Sequence, residues 1–336
     1  MHRPPLFENA DYIDGFGNVS VMAYVPPFMA GCALSPEAAA HTPSGTIGDW
    51  FMLDADTGMA SGADYEAVEM GGFYVDRYLT SAHDATSTHA GTPAGDLPLV
   101  SRAGVVPMVD QTIDVFKRKL VARFEGGGFR NGPQGSEGTG GLLPDAYWNQ
   151  IWIYARLAGI AFHGNTDNGR CFLAPDETGE ADPTTPHGTL TGAGPATWQE
   201  PLSDFTGNRA EFTDGLRLVD GIIYSSGYAI DPPNSAFEAP YRSTGLRIGG
   251  VTPYHSIASY RAEPALRPHG IGATSTTAGE GGMSGQGMFH TDEGERIADR
   301  GSGWTLREIA PGKLSLGKAP DGFGDRVGGR AIWVPK

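Results

Sequence analysis

The chain reads as an α+β protein with two helices, short strands and long loops. Three observations carry that reading. Only two stretches keep an apolar stripe at helical spacing. Apolar and aromatic residues elsewhere come in short runs bounded by Gly, Pro, Asn and Ser. Gly (50) and Pro (25) are abundant among the 336 residues, just under the share that marks disorder, whereas aromatics at 10% are too frequent for a disordered chain.

The first strand signal is Val19–Val25, which alternates apolar and small residues until Pro26-Pro27 stops it. Residues 31–64 read as loop, with Asp49–Leu53 as one short strand candidate. Gly71–Tyr78 is the second clear strand, opening on a glycine pair and carrying aromatics. Residues 81–104 return to a Ser/Thr/Gly/Pro loop. A helix over Val109–Phe124 follows from the stripe Ile113, Phe116, Leu120 and Phe124, with Val115 and Val121 beside it. Asp110 or Thr112 is its cap, and Gly126–Gly128 end it. A second helix runs over Pro144–Leu157, where Pro144 and Asp145 start the first turn and Gly159 stops it. Tyr147, Trp148, Ile151, Trp152, Tyr154, Ala155 and Leu157 make it apolar on most sides, so deep burial is expected.

Beyond residue 160 no third helix is predicted. Short strands are expected at Gly215–Ile223, Thr244–Ile248, Arg300–Trp304 and Ala331–Val334, and a long irregular loop at 264–285. No internal repeat and no clean linker occur. The expected organisation is an N-terminal arm over 1–17 and one main domain over 18–336, with a loop insertion near 225–290.

Composition narrows function. The formal net charge of −15 argues against nucleic acid or an anionic membrane surface as partner. No apolar run reaches the roughly 20 residues of a membrane-spanning helix, so no membrane insertion is expected. The first residues lack a signal peptide's apolar stretch, consistent with synthesis in a cytoplasm. Two cysteines, Cys32 and Cys171, exclude a disulfide scaffold and read as two separate buried thiols.

The chemistry-bearing residues form no obvious constellation. The nine histidines are dispersed without an HxxxH or HExxH pair, and His163 falls in a turn; they read as structural. Gly15-Phe16-Gly17-Asn18 and Gly126–Gly128 lack the strand and helix order of a phosphate loop, and no Walker lysine is present. Asp54-Ala55-Asp56, Asp167-Asn168 and Asp292-Glu293 are candidate Ca²⁺ loops, although a solvated acidic loop explains each better. Asn165–Gly169 and Gly207-Asn208 are turn chemistry. The residues alone favour a polar, aromatic-bearing recognition module over an enzyme.

Seven segments then fall in a familiar order: Asn18–Phe28 (NVSVMAYVPPF), Gly72–Tyr78 (GFYVDRY), Leu142–Trp148 (LLPDAYW), His163–Arg170 (HGNTDNGR), Thr191–Trp198 (TGAGPATW), Thr206–Gly221 (TGNRAEFTDGLRLVDG) and Asp299–Trp304 (DRGSGW). Together they resemble phage and prophage virion proteins carrying a C-type-lectin-like domain of the formylglycine-generating-enzyme (sulfatase-modifying-factor) type. The resemblance implies a C-type-lectin-like fold with two helices, short twisted antiparallel sheets and large ligand-facing loops. It also implies a place on the virion, with trimeric tail-fibre receptor-binding proteins among the relatives.

There are departures. The enzyme branch of that family uses a cysteine pair in the last third of the domain to bind copper, and residues 172–336 contain no cysteine. The iron-dependent sulfoxide synthase branch needs a histidine triad that is absent. The tryptophans of the family's NVWEW stretch are replaced by Ala210 and Phe212 around Glu211.

The expected function is therefore a non-enzymatic phage tail-fibre or tail-tip adhesin that binds a host cell-surface glycan or outer-membrane protein. Expected partners are that receptor and other virion proteins. The expected assembly is a homotrimer, with no catalytic residues and no cofactor beyond candidate Ca²⁺. The candidate receptor contacts are Tyr241, Tyr254, His255, Tyr260, Arg261, Trp304 and Arg307, because aromatics and Arg dominate such surfaces. A capsid decoration or structural tail protein is the alternative. A copper-dependent formylglycine-generating oxidoreductase ranks third.

Overall fold

The computed structural model describes residues 7–33, 50–52, 65–92, 95, 97–130, 137–158, 160, 164–165, 190–193, 201–230, 241–247, 254–256, 269, 286–289, 294–301, 314–322 and 327–336. In chain order the elements are β1 (Glu8–Ile13), β2 (Val19–Val25), β3 (Phe28–Ala33), β4 (Trp50–Met52), β5 (Tyr65–Met70), β6 (Phe73–Asp76), β7 (Thr80–Ala82), β8 (Leu99–Ser101), α1 (Ile113–Phe124), β9 (Gly128–Phe129), β10 (Gly138–Leu142) and α2 (Asp145–Ala158). They continue as β11 (Ala210–Val219), β12 (Ile222–Ser225), β13 (Arg242–Arg247), β14 (Tyr254–Ser256), β15 (Gln286–Phe289), β16 (Glu295–Arg300), β17 (Leu314–Lys318), β18 (Val327–Gly329) and β19 (Ala331–Pro335). The α+β class holds: the described residues form two helices and mostly antiparallel strands, with sheet predominating.

Two large sheets organise the molecule. The first has the order β10-β19-β6-β2-β1-β9, antiparallel throughout. The second runs β13-β12-β11-β16-β17-β15-β14, with β18 parallel to β11. A small sheet β4-β3-β5 and the pair β7-β8 complete the set. Sequence-distant strands meet at the sheet centres, so the first and last strands of the chain share one sheet.

Both predicted helices form, with α1 starting four residues later than expected, at Ile113. Thr112 is its cap residue by position, without a side-chain cap bond. Ile113, Phe116 and Leu120 are buried as the stripe requires, and pack with Leu142, Phe212 and Ala331. The same helix also buries Lys117, Lys119 and Arg123. In α2, Trp148, Ile151, Tyr154 and Ala155 enter the core with Phe73, Val75 and Ile332. Trp148 stacks on Phe205 with ring centroids 4.4 Å apart.

Several strands differ from the sequence expectation. β1 lies within the expected arm and pairs with β2 and β9. β3, β5, β7 and β8 had no sequence signal. The expected strand at 215–223 is instead a hairpin, β11 and β12, joined by Asp220-Gly221 at φ 46° and 79°. Positive φ at both central residues is the turn geometry that matches strand twist. The expected strand at 300–304 is displaced towards the N-terminus, as β16, ending at Arg300. Its residues 302–304 lie outside the described residues, as do Cys171, His163, the segment 270–285 and the acidic clusters at 54–56, 167–168 and 292–293.

Candidate functional site

Between the helices and the second sheet, buried charge is set among the apolar core. Lys117 of α1 places Nζ 2.8 Å from Asp214 Oδ2, with both side chains almost fully buried. Asp214 sits where β11 and β16 lose register, between Thr213 and Arg217. Such a bulge re-aims side chains, and here it turns the carboxylate inward. Tyr241 donates its hydroxyl to Asp214 Oδ1 at 2.6 Å and accepts the Gly215 N–H at 2.9 Å. The Arg217 guanidinium lies over the Tyr241 ring at 4.5 Å.

A second cluster joins the two large sheets. Arg123 Nη1 contacts Asp76 Oδ1 at 2.6 Å, while Asp76 Oδ2 accepts the Ala331 N–H. Arg330 pairs with Glu211. Burial pushes the carboxyls of Asp76 and Glu211 up, against the pull of Arg123 and Arg330. Nearby Asp204 accepts from Gly192 N–H and Asn208 Nδ2, and burial raises its pKa to about 6.

Asp145, the first residue of α2, is the hub of the third cluster. Its oxygens accept from Arg300 Nε at 2.6 Å, Arg300 Nη2 at 2.8 Å and Thr213 Oγ1 at 3.1 Å. His269 Nδ1 lies 2.9 Å from Asp145 Oδ2, and His269 Nε2 lies 2.7 Å from Ser225 Oγ. Burial opposes the carboxylate charge, but Arg300 and His269 outweigh it and hold Asp145 well below the usual carboxylate range. A helix N-terminus favours an anion there as well. A charged Asp145 favours the proton on Nδ1, and in that neutral tautomer Nε2 accepts from the serine hydroxyl. Ser225 also accepts the Gly227 N–H at 3.0 Å. Asp145 and His269 have no exposed side chain, whereas Ser225 is partly exposed.

The predicted receptor contacts are dispersed. Tyr241 is buried, with 6% of its surface exposed, and both functions of its hydroxyl serve Asp214 and Gly215. Its place as a surface contact is corrected to a core role, because an interior carboxylate needs a donor. The backbone of Tyr254 and His255 forms β14, the last strand of the second sheet. Tyr260, Arg261, Trp304 and Arg307 lie outside the described residues. No group of three or more His, Cys, Asp or Glu able to hold a metal ion occurs among the described residues. The Ser225, His269 and Asp145 arrangement escaped sequence reasoning. Asp145 read as a helix start, His269 as one dispersed histidine, and no spacing rule links them to Ser225.

No protein-family model matches the chain. No curated protein matches it either. Among solved structures, PvdO from Pseudomonas aeruginosa is similar in extent, with 14% identity, 94% of this chain and 95% of that chain covered, and a TM-score of 0.35.

Proposed function

We propose that the protein is a phage virion surface protein, a tail-fibre or tail-tip adhesin with a C-type-lectin-like fold that binds a host-surface glycan or outer-membrane protein. The mounting of the 225–290 segment supports this reading. β13 and β14 are the two end strands of the second sheet, and His269 within the segment is tied to the core through Asp145. A rigid scaffold that carries long connections at its edges suits recognition. Tyr254 and His255 on β14, and Tyr260 and Arg261 just after it, are the contacts favoured. Trp304 and Arg307 are further candidates from the sequence. Several copies on one particle, a trimer at each fibre tip, make weak single sites strong.

Immunogold electron microscopy on purified particles, with antibody to this chain, tests the reading. Label at the tail tip or fibres, together with host-cell binding lost in Tyr254→Ala or Tyr260→Ala, supports it. Label over the head makes it a decoration protein and removes the adhesin reading. Label along the tail tube, with no host-cell binding, makes it a structural tail protein.

A further inference from the structure

The chain Ser225 Oγ to His269 Nε2 at 2.7 Å, then His269 Nδ1 to Asp145 Oδ2 at 2.9 Å, has the connectivity of an activated nucleophile, its base and the group that orients the base. We propose that Ser225, His269 and Asp145 form a nucleophilic relay that transfers acyl groups from carboxylic esters. This goes beyond the binding reading and is tested separately from it.

The geometry fixes each role. Ser225 ends β12, and a turn follows in which Ala229 N–H bonds to the Ser226 carbonyl. The Gly227 N–H on Oγ holds one lone pair and leaves the hydroxyl proton for His269. His269 is held at both ring nitrogens, and the Arg300 Nη2 donates to its main-chain carbonyl at 2.5 Å, so the ring has one orientation. Asp145 is itself fixed by the two Arg300 contacts and Thr213. A purely packing histidine needs none of this alignment towards a serine that is itself partly exposed.

In the step, Ser225 Oγ bonds to the ester carbonyl carbon while its proton passes to His269 Nε2. Collapse of the tetrahedral intermediate breaks the carbon–alkoxide bond, and the imidazolium returns its proton to the leaving alcohol. Water, losing a proton to the same nitrogen, then attacks the acyl carbon; the C–Oγ bond breaks, the imidazolium returns that proton to Ser225 Oγ, and the acid leaves. Asp145 shares its charge with Arg300, which leaves less of it to stabilise the imidazolium. That suits esters, whose leaving group needs little help, over amides.

The test is reaction of the full-length protein with a fluorophosphonate probe, read by peptide mass spectrometry, alongside turnover of p-nitrophenyl acetate. Stoichiometric label on Ser225 is expected, abolished in Ser225→Ala and slowed about 100-fold or more in His269→Gln. Ser226→Ala retains labelling. Should Ser225→Ala not fold, Ser225→Cys keeps the shape and is expected to be alkylated by iodoacetamide faster than a free cysteine at the same pH. A folded protein with no label on Ser225, or label equally fast in His269→Gln, overturns the relay whatever the outcome of particle labelling.

Discussion

Arg330 grips Glu211 through three contacts, Nη2 to Oε1 at 2.7 Å and a shared Nε hydrogen to Oε2 at 3.0 Å and Oε1 at 3.2 Å, and neither side chain is exposed. The remaining guanidinium hydrogens go to main-chain carbonyls: Nη1 to Asp76 and Arg77, Nη2 to Ser203. All five donors of the fork are satisfied. One side chain thereby joins β6, the 203–206 turn and β11 from its position just before β19.

Removing one partner of such a pair leaves a buried, uncompensated charge. Arg330→Met is expected to destabilise the protein by about 3–5 kcal/mol, read by urea unfolding. The double variant Arg330→Met with Glu211→Leu is expected to recover much of that loss, since the unpaired carboxylate goes with its partner. A double variant no better than the single one refutes this account.

Asp204 carries a pH dependence whose sign is fixed. Its carboxyl is raised from 3.8 to about 6, chiefly by burial, in a cluster where Asp76, Asp204 and Glu211 face Arg123 and Arg330. The native state therefore binds the extra proton between those values. The stabilising contribution is complete below the unfolded value and is lost as pH rises through about 6. Its size is on the order of 3 kcal/mol. Unfolding free energies of wild type and Asp204→Asn are expected to converge or cross between about pH 4 and pH 6.5, the wild type losing ground as pH rises. Parallel curves count against this role.

Gly164 is confined by its neighbours. A Cβ built there lies 1.5 Å from the Thr206 carbonyl oxygen, and next to it Asn165 accepts the Asn208 N–H at 2.8 Å. Backbone cannot withdraw as a flexible side chain does. Gly164→Ala is expected to cost about 3 kcal/mol or more, as a severe overpacking substitution. A melting temperature within a degree of wild type refutes it.

The elements that sequence made legible were those with a continuous apolar pattern. Ile113, Phe116 and Leu120 line one helical face against the core, and Val19–Val25 alternates between two apolar clusters, Met22 in one and Ala23 and Val25 in the other. β7 and β8 are three residues each, too short for any period to register. The charged interior was illegible for a different reason. Lys117, Arg123 and Arg300 count as surface residues by type, and their partners lie far off in the chain: Asp76 is 47 residues from Arg123, and Asp145 is 155 from Arg300. Only the fold brings them together. Glu211 stands out in the sequence by resemblance alone, and its partner Arg330 does not.

Tyr241 separates a structural role from a binding one. Its hydroxyl bridges Asp214 Oδ1 and the Gly215 N–H, and Asp214 is also held by Lys117. Tyr241→Phe keeps the ring under Arg217 but leaves an interior N–H and a carboxylate oxygen short of a partner. A loss of about 1–3 kcal/mol is expected, measured by chemical denaturation. Lys117→Met is expected to cost more, because it removes the nearer of the two cations on Asp214, with Arg217 left at 4.0 Å, rather than one neutral donor. Host-cell binding per folded molecule is expected to be unchanged in Tyr241→Phe, since a hydroxyl committed to Asp214 is not presented to a receptor. Unchanged stability with lost binding would instead return Tyr241 to the contact surface.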